Sequence, residues 1–183
     1  MINQVNQDKP MAVAMVDGNP AGAVVIAASD VGLAYVSFQG LQDFKALILD
    51  KANIPSTRSL ELAHAAGRQI QEYFDRKRKI FDLPLDLEDL PDFRRRVLQE
   101  TAHIPYGTAI TYGELAARIQ QPKAARAVGG ALARNPLAIV IPCHRVVASD
   151  GSMHGFSAAG GIATKIALLQ LEGCRIQGDR LVR

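Results

Sequence analysis

Pro142-Cys143-His144-Arg145-Val146 holds the residue types best able to do chemistry in this chain. Cysteine is a strong nucleophile once it is a thiolate, and the adjacent histidine can take its proton. Only two cysteines occur, Cys143 and Cys174. The pentapeptide follows an unbroken apolar run from Leu137 to Ile141. A run that short, rich in branched residues and closed by Pro, predicts a buried strand. Adjacent residues on a strand point to opposite faces, and free cysteine is commonly inert core filling. Cys-His alone therefore defines no site, and the elements around it must.

At 183 residues, with 48% apolar and 21% charged residues, the chain fits one large domain or two small ones and can bury a core. No apolar run approaches the roughly 18 residues of a membrane span, and the polar start Met1–Pro10 has no secretory segment. Two cysteines this far apart make neither a disulfide nor a metal framework, so a cytosolic, reducing setting without metal is expected. Charge is uneven. Residues 1–92 hold 9 basic and 13 acidic side chains, net −4, and residues 93–183 hold 12 and 5, net +7. That asymmetry points to a polyanion partner for the second half.

The first half opens with three strand-like runs, Ala12–Val16, Ala23–Ala28 and Leu33–Phe38, separated by turn clusters, which predicts an antiparallel meander. Ser56 or Thr57 caps a predicted helix in which Leu60, Ala63, Ile70, Tyr73 and Phe74 recur at helical spacing. The cluster Arg76-Lys77-Arg78-Lys79 would end that helix, where cations favour the dipole. After the alternating stretch Phe81–Leu87, the acidic segment Glu88–Asp92 marks a seam. The expected domains are 1–91 and 92–183.

Beyond the seam Asp92 is the expected cap of a helix carrying Phe93, Val97 and Leu98. Thr111-x-x-Glu114 is a capping box, with Ile110 and Leu115 at the hydrophobic-staple positions. A helix to about Ile119, a turn over Gln120–Pro122 and a second helix over Lys123–Arg134, stopped by Asn135-Pro136, form a helix-turn-helix pattern. The second helix is nearly bare: Ala124, Ala125, Ala127, Gly129, Gly130, Ala131 and Ala133. Each interior Gly costs about 1 kcal/mol against Ala. Such a surface suits either tight packing on a neighbouring helix or close approach to a DNA groove, with Arg126 and Arg134 projecting.

In this order the segments resemble the O6-alkylguanine-DNA alkyltransferase (methylated-DNA–protein-cysteine methyltransferase) family. The resemblance rests on Ile104-Pro105-Tyr106-Gly107, Thr111-Tyr112-Gly113-Glu114-Leu115-Ala116, Lys123 to Ala131, Asn135-Pro136, Ile141 to Val147 and Leu168-Leu169-x-Leu171-Glu172-Gly173. It covers roughly residues 80–183. It implies an α+β fold: an N-terminal α/β domain with a small antiparallel sheet, ribonuclease H-like in the family, and a mainly helical C-terminal domain with a winged-helix-like helix-turn-helix.

The implied activity is stoichiometric DNA repair. Cys143 would take the alkyl group from O6 of a flipped guanine, with O4-alkylthymine as a further substrate, and keep it as a thioether. His144 would deprotonate Cys143 through a water, and Glu172 would orient the imidazole, the logic of a catalytic triad. Tyr112 would donate a hydrogen bond to the departing base. The target atom is inaccessible inside a duplex, so Arg126 matches the finger that fills the vacated stack. Thr111, Ala125, Ala127, Gly129 and Arg134 would complete a mostly sequence-independent minor-groove surface. Asn135 matches a hinge asparagine. Leu132, Val146, Val147, Ala148, Phe156 and Ser157 would wall the pocket. No cofactor and no metal are implied. The partner would be double-stranded DNA containing O6-alkylguanine, bound by a monomer.

The chain departs from the family in its loop, where Phe156-Ser157-Ala158-Ala159-Gly160-Gly161 carries two extra alanines. The tryptophans common near Leu98 and in the last helix are absent, as are the zinc-binding cysteines of some relatives, and His103 and His154 match no role. The alternative is a non-catalytic alkyltransferase-like damage-binding protein. Those proteins have another residue where this chain has Cys143.

Overall fold

The computed structural model describes residues 9–19, 22–38 and 54–182. It divides into two compact units, Met1–Asp89 with Pro136–Ala138, and Leu90–Asn135 with Ile139–Arg183. Pro136–Ala138 joins the first unit because the Val36 N–H donates to the Pro136 carbonyl at 2.8 Å and the Ala138 N–H donates to the Val36 carbonyl at 3.0 Å.

In the first unit β1 (Ala12–Val16), β2 (Val24–Ala28) and β3 (Leu33–Ser37) pair antiparallel in the order β1-β2-β3. The predicted meander is present. Every residue of central β2 is buried, as its unbroken apolar sequence requires. Helix α1 (Thr57–Phe74) packs on β1 and β2. Ser56 is its N-cap, accepting from the Ser59 N–H at 3.1 Å. Ala63, Ile70, Tyr73 and Phe74 are buried as expected, but Leu60 points outward, 40% exposed, and Ser59 takes the inward position.

Two segments of this unit take shapes that their sequence pattern alone did not specify. The basic cluster lies beyond α1, since Arg76 turns the chain at φ 60°. Two of its charges meet acids: Lys77 pairs with Asp75 at 3.1 Å and Arg78 with Glu72 at 2.6 Å. The alternating stretch Phe81–Leu87 forms no strand. It touches the sheet at one parallel bridge, Leu85 to Leu33, because Pro84 has no N–H to donate to a ladder.

The second unit contains α2 (Asp92–Ala102), β4 (Ile110–Thr111), α3 (Tyr112–Arg118) and α4 (Ala125–Leu132). Further along come a 3₁₀ turn (Cys143–Arg145), β5 (Val146–Val147) and α5 (Ile162–Leu171). The hairpin of β6 (Ile176–Gln177) and β7 (Arg180–Leu181) follows. Strands β4 and β5 pair in parallel, which brings the start of α3 beside the residues following Cys143. Val97 and Leu98 of α2, Leu115 and Ala116 of α3, and Val128 and Ala131 of α4 are fully buried where the three helices meet.

The cap of α2 is Pro91, not Asp92. Asp92 takes helical geometry in the first turn, where its charge favours the dipole and it pairs with Arg95. The capping box is present: the Glu114 N–H donates to Thr111 Oγ1 at 3.1 Å, and the Thr111 N–H donates to Glu114 Oε2 at 2.6 Å. Gln120, at φ 61°, reverses the chain between α3 and α4. Helix α4 is shorter than its alanine-rich sequence predicts, leaving Lys123 in the preceding turn and Arg134 beyond the last turn.

The run Leu137–Ile141 is buried but is not a strand. Leu137 makes one bridge to Val36, and Ile139 sits at φ 71°. A β-branched residue with positive φ is strained and ends any extended run. Cys143 therefore arrives on a tight turn that follows a buried bend.

Candidate active site and nucleic-acid interface

The 3₁₀ turn changes what Cys143 and His144 can do. On a strand they would face opposite ways, whereas here both side chains are buried within the same unit. The turn is closed by the Cys143 N–H donating to Ile141 O at 2.8 Å and the Arg145 N–H donating to Pro142 O at 2.9 Å.

Asn135 holds the thiol in place. Its Nδ2 donates to the Ile141 carbonyl at 2.8 Å and to Cys143 Sγ at 3.3 Å. One amide thus ties the end of the helix-turn-helix to the cysteine turn. Burial pushes the Cys143 thiol up, against the Asn135 hydrogen bond and the nearby charge of Lys165, which pull it down. At rest the sulfur is protonated, and attack needs a base.

The adjacent His144 is the nearest titratable side chain in the sequence. Its Nε2 lies 2.8 Å from Glu172 Oε1, with both side chains fully buried. Burial drives the imidazole below its usual value despite the pull of Glu172, so the ring is neutral at neutral pH. Burial would raise the Glu172 carboxyl, but hydrogen bonds and charge from His144 and Arg145 outweigh it and hold the group at about 2. An ionised carboxylate only accepts, so the neutral ring must carry its proton on Nε2. The basic lone pair is then on Nδ1, which is buried and has no hydrogen-bond partner.

Arg145, unassigned from the sequence, is the counter-ion that keeps Glu172 charged. Its Nε donates to Oε2 and its Nη2 to Oε1, each at 2.9 Å, and Nη1 donates to the Ile104 carbonyl. The Ile104–Gly107 motif wraps this pair. The Gly107 N–H donates to Glu172 Oε2 at 3.1 Å, Tyr106 Oη donates to Leu171 O at 3.1 Å, and the Arg145 guanidinium lies 5.8 Å from the Tyr106 ring centre. Gly107 sits at φ 73°, where a Cβ would come within 2.9 Å of the Glu172 carbonyl, so no side chain is tolerated there. Glu172 itself is the C-cap of α5, followed by Gly173 at φ 88° as predicted.

Lys165 was also unread. It is almost fully buried on α5, and its Nζ donates to the Val146 carbonyl at 2.6 Å. The Nζ also lies 5.9 Å from the Tyr112 ring centre. Burial lowers it to about 8, partly offset by attraction to Cys143. The one charged residue in the apolar stretch Ile162–Leu171 was the available signal.

A cleft of about 920 Å³ opens in the same unit, and neither Cys143 nor His144 is among the residues that line it. Thr111, Tyr112, Ala125, Arg126 and Gly129 line it from the helix-turn-helix, and Ala148, Phe156 and Ser157 from the other side. Ala127 and Arg134 are exposed outside it. Val146, Val147 and Leu132 contribute no wall, since the valines are fully buried in β5 and Leu132 is 5% exposed. Ser149 and His154 line the cleft as well, neither having been foreseen. Burial and the nearby Cys143 both raise Tyr112 above the usual phenol value, so it remains a hydrogen-bond donor.

A Cβ on Gly129 would meet the Tyr112 ring at 3.7 Å, an ordinary contact, and one on Gly130 would meet nothing within 4 Å. Among the described residues nothing packs where a Gly130 Cβ would sit, so their packing does not account for this glycine.

Fold and site together define the class: an α+β protein whose helix-turn-helix unit carries a buried cysteine followed by a buried histidine that pairs with a carboxylate. Residues 92–174 match the family model of the 6-O-methylguanine DNA methyltransferase, DNA binding domain. The chain is 39% identical over 157 residues to a methylated-DNA–protein-cysteine methyltransferase of Methanosarcina acetivorans, spanning 85% of this chain and 94% of that protein. Its structure is similar to that of the Mycobacterium tuberculosis O6-methylguanine methyltransferase, with TM-score 0.73, 34% identity, and 92% and 96% of the two chains covered. It is also similar to that organism's OGT in complex with DNA, with TM-score 0.68, 35% identity, and 86% and 90% covered. This chain belongs to the methylated-DNA–protein-cysteine methyltransferase family.

Proposed function

We propose that this protein repairs DNA by moving an alkyl group from O6 of guanine onto Cys143 Sγ. The proton of Cys143 passes to His144 Nδ1 through a water. The sulfur then attacks the alkyl carbon, forming the S–C bond as the C–O6 bond breaks, and the electron pair leaves with guanine. A hydrogen bond from Tyr112 stabilises that leaving group. The product is a thioether, which nothing at the site can cleave, so each molecule acts once. The observation that carries this reading is the buried Glu172–His144 pair, which leaves Nδ1 as a lone base next to a protonated thiol.

DNA is the partner that the family, the basic C-terminal half and the bare helix α4 support. Arg126 enters the duplex as the flipped guanine leaves the stack, and Thr111, Ala125, Ala127, Gly129 and Arg134 face the minor groove. Phosphate contacts from such a surface make binding salt-dependent and largely sequence-independent. The thiol, its base and the finger all come from one unit of one chain, which supports action as a monomer. Among the described residues no helix is long and apolar enough to cross a membrane.

Incubation with a duplex containing O6-methylguanine, followed by mass spectrometry of the protein, tests the reading. The expected result is one added methyl located on Cys143. An unchanged mass, or a label on Cys174, overturns it.

A further inference from the structure

Asp150, Ser152 and His154 form a hydrogen-bonded chain at the root of the loop that walls the cleft. Ser152 Oγ lies 2.6 Å from Asp150 Oδ1 and 2.8 Å from His154 Nε2. The Ser152 N–H donates to the same Oδ1 at 3.0 Å, and Arg180 pairs with Asp150 at 3.3 Å. The proton positions follow from the inventory of donors. The carboxylate only accepts, so the single hydroxyl proton of Ser152 goes to Asp150, and His154 must donate Nε2–H to Ser152. The ring of His154, though exposed, is thereby fixed to a buried serine.

His154 is where the rigid frame ends. Residues before it are pinned: the Ala148 N–H donates to Ser152 O, and the Met153 N–H donates to Asp179 O, each at 3.0 Å. After it, Gly155 turns at φ 51° into the loop that carries Phe156 and Ser157. The carbonyl of His154 accepts a hydrogen bond from Tyr112 Oη at 3.3 Å. The ring tie to Ser152 therefore holds the carbonyl against which the phenol is aligned.

We propose that Ser152 and His154 are positioning residues for Tyr112, holding its hydroxyl at the mouth of the cleft in the orientation from which it turns to the guanine. This rests on the reading of Tyr112 as the hydrogen-bond donor to the departing base. Ser152, buried and outside the cleft lining, acts only through this link to the tyrosine, whereas His154 also lines the cleft.

A double-mutant cycle on the full-length protein tests this, with the rate of methyl transfer from an O6-methylguanine duplex as the readout. Tyr112→Phe is expected to slow transfer. Ser152→Ala should slow it roughly fivefold, the worth of one neutral hydrogen bond, and Ser152→Thr, which keeps the hydroxyl, should stay within about twofold of the parent. In the Tyr112→Phe background, Ser152→Ala should have no further effect. His154→Ala, at an exposed side chain, cuts the same link and gives the same pattern if Ser152→Ala fails to fold. Equal factors in both backgrounds, or no slowing by either relay variant, overturn the positioning role while leaving Tyr112 in place. A Tyr112→Phe variant as fast as the parent overturns the tyrosine reading and this proposal with it.

Discussion

Glu172 Oε1 and His144 Nε2 lie 2.8 Å apart with both side chains fully buried, and Arg145 holds the same carboxylate from its other side. A lone buried carboxylate would take up a proton and a lone buried imidazole would lose its orientation. Together the three groups keep one negative charge, one positive charge and one neutral ring in a dry setting. The ring is thereby left with its lone pair on Nδ1, the nitrogen that the proposed mechanism uses as the base.

Replacing Glu172 with Gln should therefore damage fold and chemistry together. The Arg145 guanidinium would remain buried without its counter-ion, and breaking such a pair costs about 3–5 kcal/mol. Urea denaturation measures that loss, and alkyl transfer should fall with it. A variant that keeps both stability and rate would remove Glu172 from the site.

Stability should fall toward acid, with the sign set by Glu172. Its folded value is about 2 against 4.5 unperturbed, so the unfolded chain binds the proton first. The stabilisation, roughly 3 kcal/mol by linkage, is complete above pH 4.5 and disappears as pH falls through 2. His144 acts in the same direction, because burial lowers its value and only the unfolded ring gains a proton on first acidification below its usual value. Chemical denaturation at a series of pH values should show a decline from about pH 6.5 downward. Glu172→Gln should lack the part below pH 4.5. A flat profile contradicts both assignments.

The rate itself should resist mild acid. His144 must be neutral to accept the Cys143 proton, and burial keeps it neutral below the pH at which a free histidine is half protonated. The acid limb of single-turnover transfer is expected to have its midpoint below about pH 6.5. A midpoint above that value would mean that another group is the base.

Local signals were the legible ones. The capping box, Ser56, Gly173 and the three strands depend on neighbours within a few residues, and each lies where its pattern places it. Leu137–Ile141 misled because a buried bend and a buried strand have the same composition, and the left-handed turn at Ile139 has no residue signature. Arg145 acquires its role from Glu172, 27 positions away, which no spacing rule reaches. His154 was unreadable for another reason: it meets Tyr112 through a backbone carbonyl, a group that every residue carries.

Gly130 offers a test that separates fold from function in opposite directions. It lies inside α4 with open space where a Cβ would be. Gly130→Ala should stabilise the protein by about 0.5–1 kcal/mol, because the helix loses the entropic cost of glycine. If α4 enters the groove, the added methyl should weaken binding to duplex DNA. Thermal denaturation and a binding titration at fixed salt measure the two effects. A gain in stability with unchanged affinity would place the DNA surface elsewhere.

Arg126 separates base flipping from alkyl transfer. It is exposed on the first turn of α4 and lines the cleft, while the thiol is held by Asn135 and the imidazole by Glu172. A finger matters only when a nucleotide must be kept out of a stacked duplex, and unstacking costs a few kcal/mol. Arg126→Ala should therefore slow transfer from an O6-methylguanine duplex on the order of 10²-fold, as a loss of that size implies. Transfer from free O6-benzylguanine needs no flipping and should change little. Single-turnover rates on the two substrates decide it, since equal losses on both would make Arg126 part of the pocket and not a finger.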